Sequence, residues 1–219
     1  MVSAMIKRFL DKISSSREKP SFLTLGDSII SDCYPGAGKG VASLVQQRLQ
    51  LPQVGVCRTG YQLPDLEVQL SQLPSKGVKV ALVSIGGNDL LCLDHLPKLD
   101  DPWFADFQAR YTKFWRELQS RYPEARWLAC NLYDPTNGSG QVPGRQRLGL
   151  PPRPELIEAL LHLNHIIAQA VGPALVDLYS LCLGHGWNGD KPLWFQMDIE
   201  PNQEGARQMA DWICTRLGL

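Results

Sequence analysis

Val78-Lys79-Val80-Ala81-Leu82-Val83-Ser84-Ile85 is a near-continuous apolar run that stops at Gly86-Gly87-Asn88-Asp89. A strand with one wet face alternates apolar and polar side chains, whereas a strand of a parallel sheet is covered on both faces and reads as such a run. The segments on either side have the same character and alternate with helical periodicity. Ser21 to Leu25 is a strand candidate ending at Gly26, and Val41 to Leu49 has helical spacing at Val41, Leu44, Val45 and Leu49. Val54 to Cys57 is a second strand, followed by a helix over Asp65 to Leu73. Beyond the central run, an amphipathic helix is predicted from Pro102 to Arg121, with Phe104, Phe107, Tyr111, Phe114, Trp115 and Leu118 on its core side. Pro102 suits the first turn, where its missing N–H costs least. Arg126 to Leu132 and Ala174 to Leu178 are strands four and five, with helices over Glu155 to Val171 and Gln203 to Leu217. Repeated strand–helix units joined by connections too long for hairpins predict a three-layer α/β/α sandwich around a parallel sheet of about five strands.

Composition narrows the partners. The 219 residues carry 22 basic and 22 acidic side chains, so a net charge of zero removes the general electrostatic case for nucleic acid or an anionic membrane. With 44% apolar and 20% charged residues the chain is a folded globular protein, expected as one domain over residues 21–219 with an N-terminal extension over residues 1–20. Met5, Ile6, Phe9, Leu10 and Ile13 predict a short amphipathic helix in that extension, while Lys7, Arg8, Asp11 and Lys12 interrupt any secretory apolar region. No apolar run approaches the roughly 18 to 20 residues that span a bilayer. The six cysteines are scattered without a C-x-x-C pair, which predicts reduced thiols in a cytoplasmic protein.

Ligands of an open parallel sheet bind beyond the carboxyl ends of its strands. The segments there are Gly26-Asp27-Ser28, Arg58-Thr59-Gly60, Gly86-Gly87-Asn88-Asp89, Asn131 to Asn137, Gly184-His185-Gly186 and Asp198-Ile199-Glu200-Pro201-Asn202. In order and spacing, Gly26-Asp27-Ser28, Gly60, Gly86-Gly87-Asn88-Asp89 and the D-x-E-P-N segment at Asp198 to Asn202 resemble the four blocks of the SGNH (GDSL) hydrolase family, over nearly the whole chain. The resemblance implies a flavodoxin-like fold and a serine esterase acting on a small or medium acyl ester or thioester, through an acyl-serine intermediate, without metal or cofactor. It implies Ser28 as nucleophile, with an oxyanion hole from the Ser28 N–H, the Gly60 N–H and the Asn88 amide. The chemistry agrees: an exposed hydroxyl on a strand-to-helix turn, near backbone N–H groups, is placed for activation, glycine admits a close approach, and a neutral amide stabilises an oxyanion in any protonation state.

The last block departs from the family pattern. D-x-x-H-P supplies the base and its orienting acid, but here the proline is Pro201, the histidine position is Glu200 and the aspartate position is Met197. Three explanations compete. His185, flanked by glycines on the same rim, supplies the imidazole with Glu200 orienting it; Glu200 itself is the base, its pKa raised by burial; or the fold persists without ester hydrolysis and binds an acylated or carbohydrate ligand. Carbohydrate O-acyl transfer would use the same residues. Ile199-Glu200-Pro201 with Gly184-His185-Gly186 upstream resembles a bacterial SGNH-like sub-group.

Other features are read as structural. His162 and His165 share a helix but lack a third metal ligand, His95 has no visible partner, and Asp27 and Asp89 are expected to bond turn amides. Tyr34-Pro35-Gly36-Ala37-Gly38-Lys39-Gly40 resembles a phosphate loop but has Cys33 and Gly40 where glycine and Ser/Thr belong. It is expected instead to shape the mouth of the acyl pocket. The Gly- and Pro-rich stretch from Tyr133 to Pro152 is the longest without periodicity, and such loops are often functional.

Overall fold

Phe22, Leu23 and Leu25 on the first strand and Ala81, Leu82 and Val83 on the third are all fully buried, so neither face of these strands sees solvent. The computed structural model describes residues 20–219; the amphipathic helix expected around Met5 to Ile13 lies outside them. In chain order the elements are β1 (Ser21–Gly26), α1 (Val41–Leu49), β2 (Gln53–Cys57), α2 (Leu63–Gln69), β3 (Val78–Ser84), α3 (Gly87–Leu91) and α4 (Pro102–Arg121). Then come β4 (Arg126–Cys130), α5 (Pro143–Arg147), α6 (Glu155–Val171), β5 (Leu175–Val176), α7 (Leu178–Cys182), β6 (Phe195–Gln196), β7 (Glu200–Pro201) and α8 (Gln203–Leu217). The main sheet has the order β2-β1-β3-β4-β5, and every pairing in it is parallel.

Strand period two divides the core into two layers. Leu23, Leu25, Ala81 and Val83 face α2, α4 and α6, where the aromatic stripe Phe107, Tyr111 and Phe114 meets Leu163 and Ile167. Phe22, Val80 and Leu82 face the other way, onto Val41 and Val45 of α1 and Met209 and Ile213 of α8. The predicted three-layer sandwich is therefore present. Capping explains why α4 starts where it does: Asp101 accepts from the Trp103 N–H at 2.9 Å, and Pro102 opens the helix.

The structure corrects four local expectations. The fifth strand is only Leu175–Val176, because Gly172–Ala174 forms a 3₁₀ turn and Asp177 caps α7 by accepting from the Ser180 N–H. No helix follows Ser28 directly; a turn closed by Ser31 N–H to Ser28 carbonyl leads into a loop, and α1 begins only at Val41. The segment 34–40 does not line the cavity described below; Asp32 pins it by accepting from the Gly38 and Gly40 N–H groups. The stretch 133–152 contains α5.

Gly26 joins the sheet to the site. A Cβ there would sit 2.4 Å from the Ser84 carbonyl oxygen, a backbone atom that cannot rotate away. Gly26→Ala is expected to cost about 1–3 kcal/mol, as overpacking does, read as a lower urea midpoint at unchanged slope.

Candidate active site

Ser28 follows β1 by two residues, on a turn fixed by Asp27, whose N–H donates to the Ser84 carbonyl and whose Oδ1 accepts from the Ile29 N–H at 3.0 Å. The Ser28 hydroxyl donates to Glu200 Oε1 at 2.9 Å across 172 positions of sequence. Both residues are nearly enclosed, 4% and 6% exposed. Glu200 Oε2 is buried and has no hydrogen-bond partner among the described residues. A carboxylate taken from water and given a single donor is poorly stabilised as an anion, so burial raises the Glu200 pKa, with the Ser28 hydrogen bond opposing. Asp27 is pushed up to about 7, chiefly by burial, against the Ile29 N–H that lowers it and with the Glu200 charge adding to the rise.

Glu200 is carried by a short hairpin in which β6 pairs with β7 antiparallel, Gln196 opposite Glu200. Its tip is Met197, 67% exposed and in the left-handed region at φ 54°. The residue at the family's aspartate position thus points into solvent and orients nothing. Asp198 next to it accepts from the Gly144 N–H at 2.7 Å and so ties the hairpin to α5. The Trp187 indole donates to the Asp198 carbonyl and the Tyr133 hydroxyl to the Ile199 carbonyl, each at 2.7 Å. Asn202 then caps α8, accepting from the Gly205 N–H at 2.9 Å. The two residues before Glu200 are therefore held through their carbonyls by aromatic donors, a role not expected of Tyr133 or Trp187. Tyr133 does lie on the rim after β4, which was its one visible signal.

The amide donors stand on α3 and on the loop that precedes α2, which are linked. Asn88 Nδ2 donates to the Tyr61 carbonyl at 3.0 Å, and Gln62 Nε2 returns a bond to the Asn88 carbonyl at 3.2 Å. Asp89 accepts from the Leu63 N–H with both oxygens, each at 3.1 Å, so it bonds turn amides as expected. Gly60 has φ 80° and open space where a Cβ would project, which leaves its backbone approachable. Ser28 and Asn88 share the wall of a cavity of about 290 Å³. Gly60 does not line it; it precedes Tyr61, whose carbonyl holds Asn88.

His185 is placed elsewhere. Its ring stacks on Trp194 with centroids 3.4 Å apart, and Nδ1 lies 2.8 Å from the Pro192 carbonyl. Among the described residues no hydrogen bond joins it to Ser28 or Glu200, and it does not line the cavity. The expected relay from Glu200 through His185 to Ser28 is corrected accordingly: the loop from Gly184 to Lys191 closes on itself through the Lys191 N–H to Gly184 carbonyl bond and turns the imidazole onto the tryptophan. His185→Ala is expected to leave kcat/KM within about twofold of wild type while losing a stacking contact worth about 1 kcal/mol; paired steady-state kinetics and thermal melts check both. His162 sets its ring edge against Phe104 and His165 bonds Gln169, so both have structural partners.

A parallel sheet in the order 2-1-3-4-5, with its buried polar cluster at the carboxyl ends, defines a flavodoxin-like α/β protein of the SGNH hydrolase fold. The chain belongs to the GDSL-like lipase/acylhydrolase family, whose model matches residues 24–208. Among solved structures it is similar to an extracellular lipase from Streptomyces rimosus, with TM-score 0.67 and 15% identity over 90% of this chain and 99% of that one. It is also similar to phospholipase A1 from Streptomyces albidoflavus, with TM-score 0.66 and 18% identity over 90% and 99% of the two chains. A psychrotrophic esterase from Pseudoalteromonas gives TM-score 0.59 and 17% identity over 91% and 97%. No curated protein matches the chain by sequence.

Proposed function

We propose that the protein is a serine ester hydrolase in which Glu200 takes the proton of Ser28 directly. The observation that carries this reading is the 2.9 Å hydrogen bond from the Ser28 hydroxyl to a buried carboxylate with no other partner among the described residues. Ser28 Oγ attacks the ester carbonyl carbon as its proton passes to Glu200 Oε1. In this reading the Ser28 and Gly60 N–H groups and the second N–H of the Asn88 amide, whose first donates to the Tyr61 carbonyl, stabilise the developing oxyanion. The carbon–oxygen bond to the alcohol then breaks, and the departing oxygen takes the proton back from Glu200. Water attacks the acyl-serine in the second half, giving its proton to Glu200, and Ser28 regains one as the acid leaves.

The missing aspartate fits this reading. An orienting acid holds an imidazole in the right tautomer and stabilises the imidazolium. A carboxylate has no tautomer to fix and becomes neutral on accepting the proton, so replacing the histidine removes the need for the acid, and Met197 is free to form a turn. The raised pKa makes Glu200 a stronger base than an ordinary glutamate. The cavity, near the lower end of the roughly 300–1,000 Å³ usual for small-molecule sites, suits a small or medium acyl group. Six unpaired thiols suit a reducing, cytoplasmic setting; among the described residues no helix is long and apolar enough to cross a membrane.

The test is the pH dependence of kcat/KM on short 4-nitrophenyl esters. Glu200 must be ionised to accept a proton, so activity falls as pH drops through its raised pKa. One acid limb is expected, above the usual glutamate value of about 4.3, absent from the residual activity of Glu200→Gln. A limb that survives in Glu200→Gln and disappears in His185→Ala would assign the base to the imidazole instead.

A further inference from the structure

The cavity beside Ser28 has one wall unlike the rest. Leu132, Leu156, Ile157 and Leu160 make its apolar side, whereas Arg145 and Arg153 come into it from the segment that carries α5. Between residues 135 and 154 this segment has three arginines, Arg145, Arg147 and Arg153, and no acidic residue, in a chain whose net charge is zero. The Arg145 guanidinium is clamped on one edge, with Nε and Nη2 both donating to the Pro151 carbonyl at 3.1 and 2.8 Å. Among the described residues no ion pair joins it to a carboxylate. Arg153 has only a 3.4 Å contact to the exposed Glu155.

The two carboxylates that line the same cavity do not offset this charge. Asp134 is engaged by its own turn, accepting from the Thr136 N–H and hydroxyl on Oδ1 and from the Gly138 N–H on Oδ2. Asp27 is held at the opposite, Ser28 end by the Ile29 N–H. A guanidinium fixed by a neutral carbonyl, with its other edge unclaimed, is a preorganised receptor for carboxylate or phosphate oxygens.

We propose that the substrate is an amphiphilic ester bearing an anionic group, carboxylate or phosphate, which Arg145 binds with help from Arg153 while the acyl chain lies along the leucine wall. This rests on the ester-hydrolase reading and names its substrate class. Arg145 acts as a specificity residue: it holds a group remote from the scissile bond, so its contribution appears in KM.

Two matched pairs separate the possible sources of the anion. The 4-nitrophenyl ester of valeric acid is compared with the mono-4-nitrophenyl ester of glutaric acid, which exchanges a terminal methyl for a carboxylate. Octanoylglycerol is compared with octanoylglycerol phosphate. In at least one pair the anionic ester is expected to be favoured about tenfold or more in kcat/KM, mostly through KM. Arg145→Glu reverses that ratio, Arg145→Lys weakens it without reversing it, and Arg147→Gln, outside the cavity lining, leaves it unchanged. Added salt compresses it. Equal or inverted preference in both pairs, or a ratio indifferent to Arg145→Glu, overturns the proposal. If no ester of either kind turns over, the hydrolase reading fails by itself. Calorimetric titration with octyl phosphate against octanol then decides the anion site: tighter phosphate binding that Arg145→Glu abolishes supports it, and equal binding overturns it.

Discussion

Glu200→Gln is expected to lower kcat/KM for a short neutral ester by about 10³-fold, within the range that general base catalysis contributes. Glutamine keeps the length of the side chain, and its amide oxygen can still accept from the Ser28 hydroxyl, so the turn and the hairpin stay in place. What it loses is the ability to hold the proton while Ser28 attacks. The fold should not suffer. The wild-type carboxylate is buried with one donor and one empty oxygen, and a neutral amide removes that desolvation cost. The variant should therefore melt at or above the wild-type temperature at pH 8, which separates loss of catalysis from loss of structure.

Ser28→Ala should be at least as damaging to turnover, with activity falling by about 10³-fold or more toward background. It also has a signature in stability. The hydroxyl is the donor to Glu200 Oε1, and without it the buried carboxylate has no partner among the described residues on either oxygen. Stranding an ionised group in this way costs about 1–3 kcal/mol or more. The Glu200 pKa, already raised by burial with the serine bond opposing, rises further. A carboxyl whose folded pKa exceeds its unfolded value contributes stability that is complete below the unfolded pKa and disappears as pH rises through the folded one. Ser28→Ala is thus expected to be destabilised relative to wild type at pH 8 and to recover as the pH is lowered through the raised Glu200 pKa. Parallel thermal melts across that range read the crossover.

Much of this arrangement could be read from the sequence because it depends on local periodicity. The buried run from Val78, the aromatic stripe of Pro102–Arg121 and the helices Glu155–Val171 and Gln203–Leu217 all have patterns that a few neighbouring residues define. Glycine and asparagine at strand ends located the rim. The two-residue fifth strand escaped because Gly172-Pro173 and the Asp177 cap trim an apolar run from both ends. His185 escaped for a different reason. Its orientation is set by a ring nine positions away, Trp194, brought over it by loop closure, and no spacing rule encodes that contact. The cavity wall was hidden as well. Leu156, Ile157 and Leu160 continue the apolar stripe of α6, and in sequence a residue facing a pocket looks the same as one facing the core.

The most direct measurement is the rate at which a fluorophosphonate labels Ser28, followed against pH in wild type, Glu200→Gln and His185→Ala. The direct serine–glutamate pair predicts a single adduct on Ser28. Its rate in wild type should climb through the raised carboxylate pKa, drop about 10²-fold or more in Glu200→Gln, and be unchanged in His185→Ala. Failure of wild type to label, or a rate that His185→Ala abolishes and Glu200→Gln preserves, would contradict it.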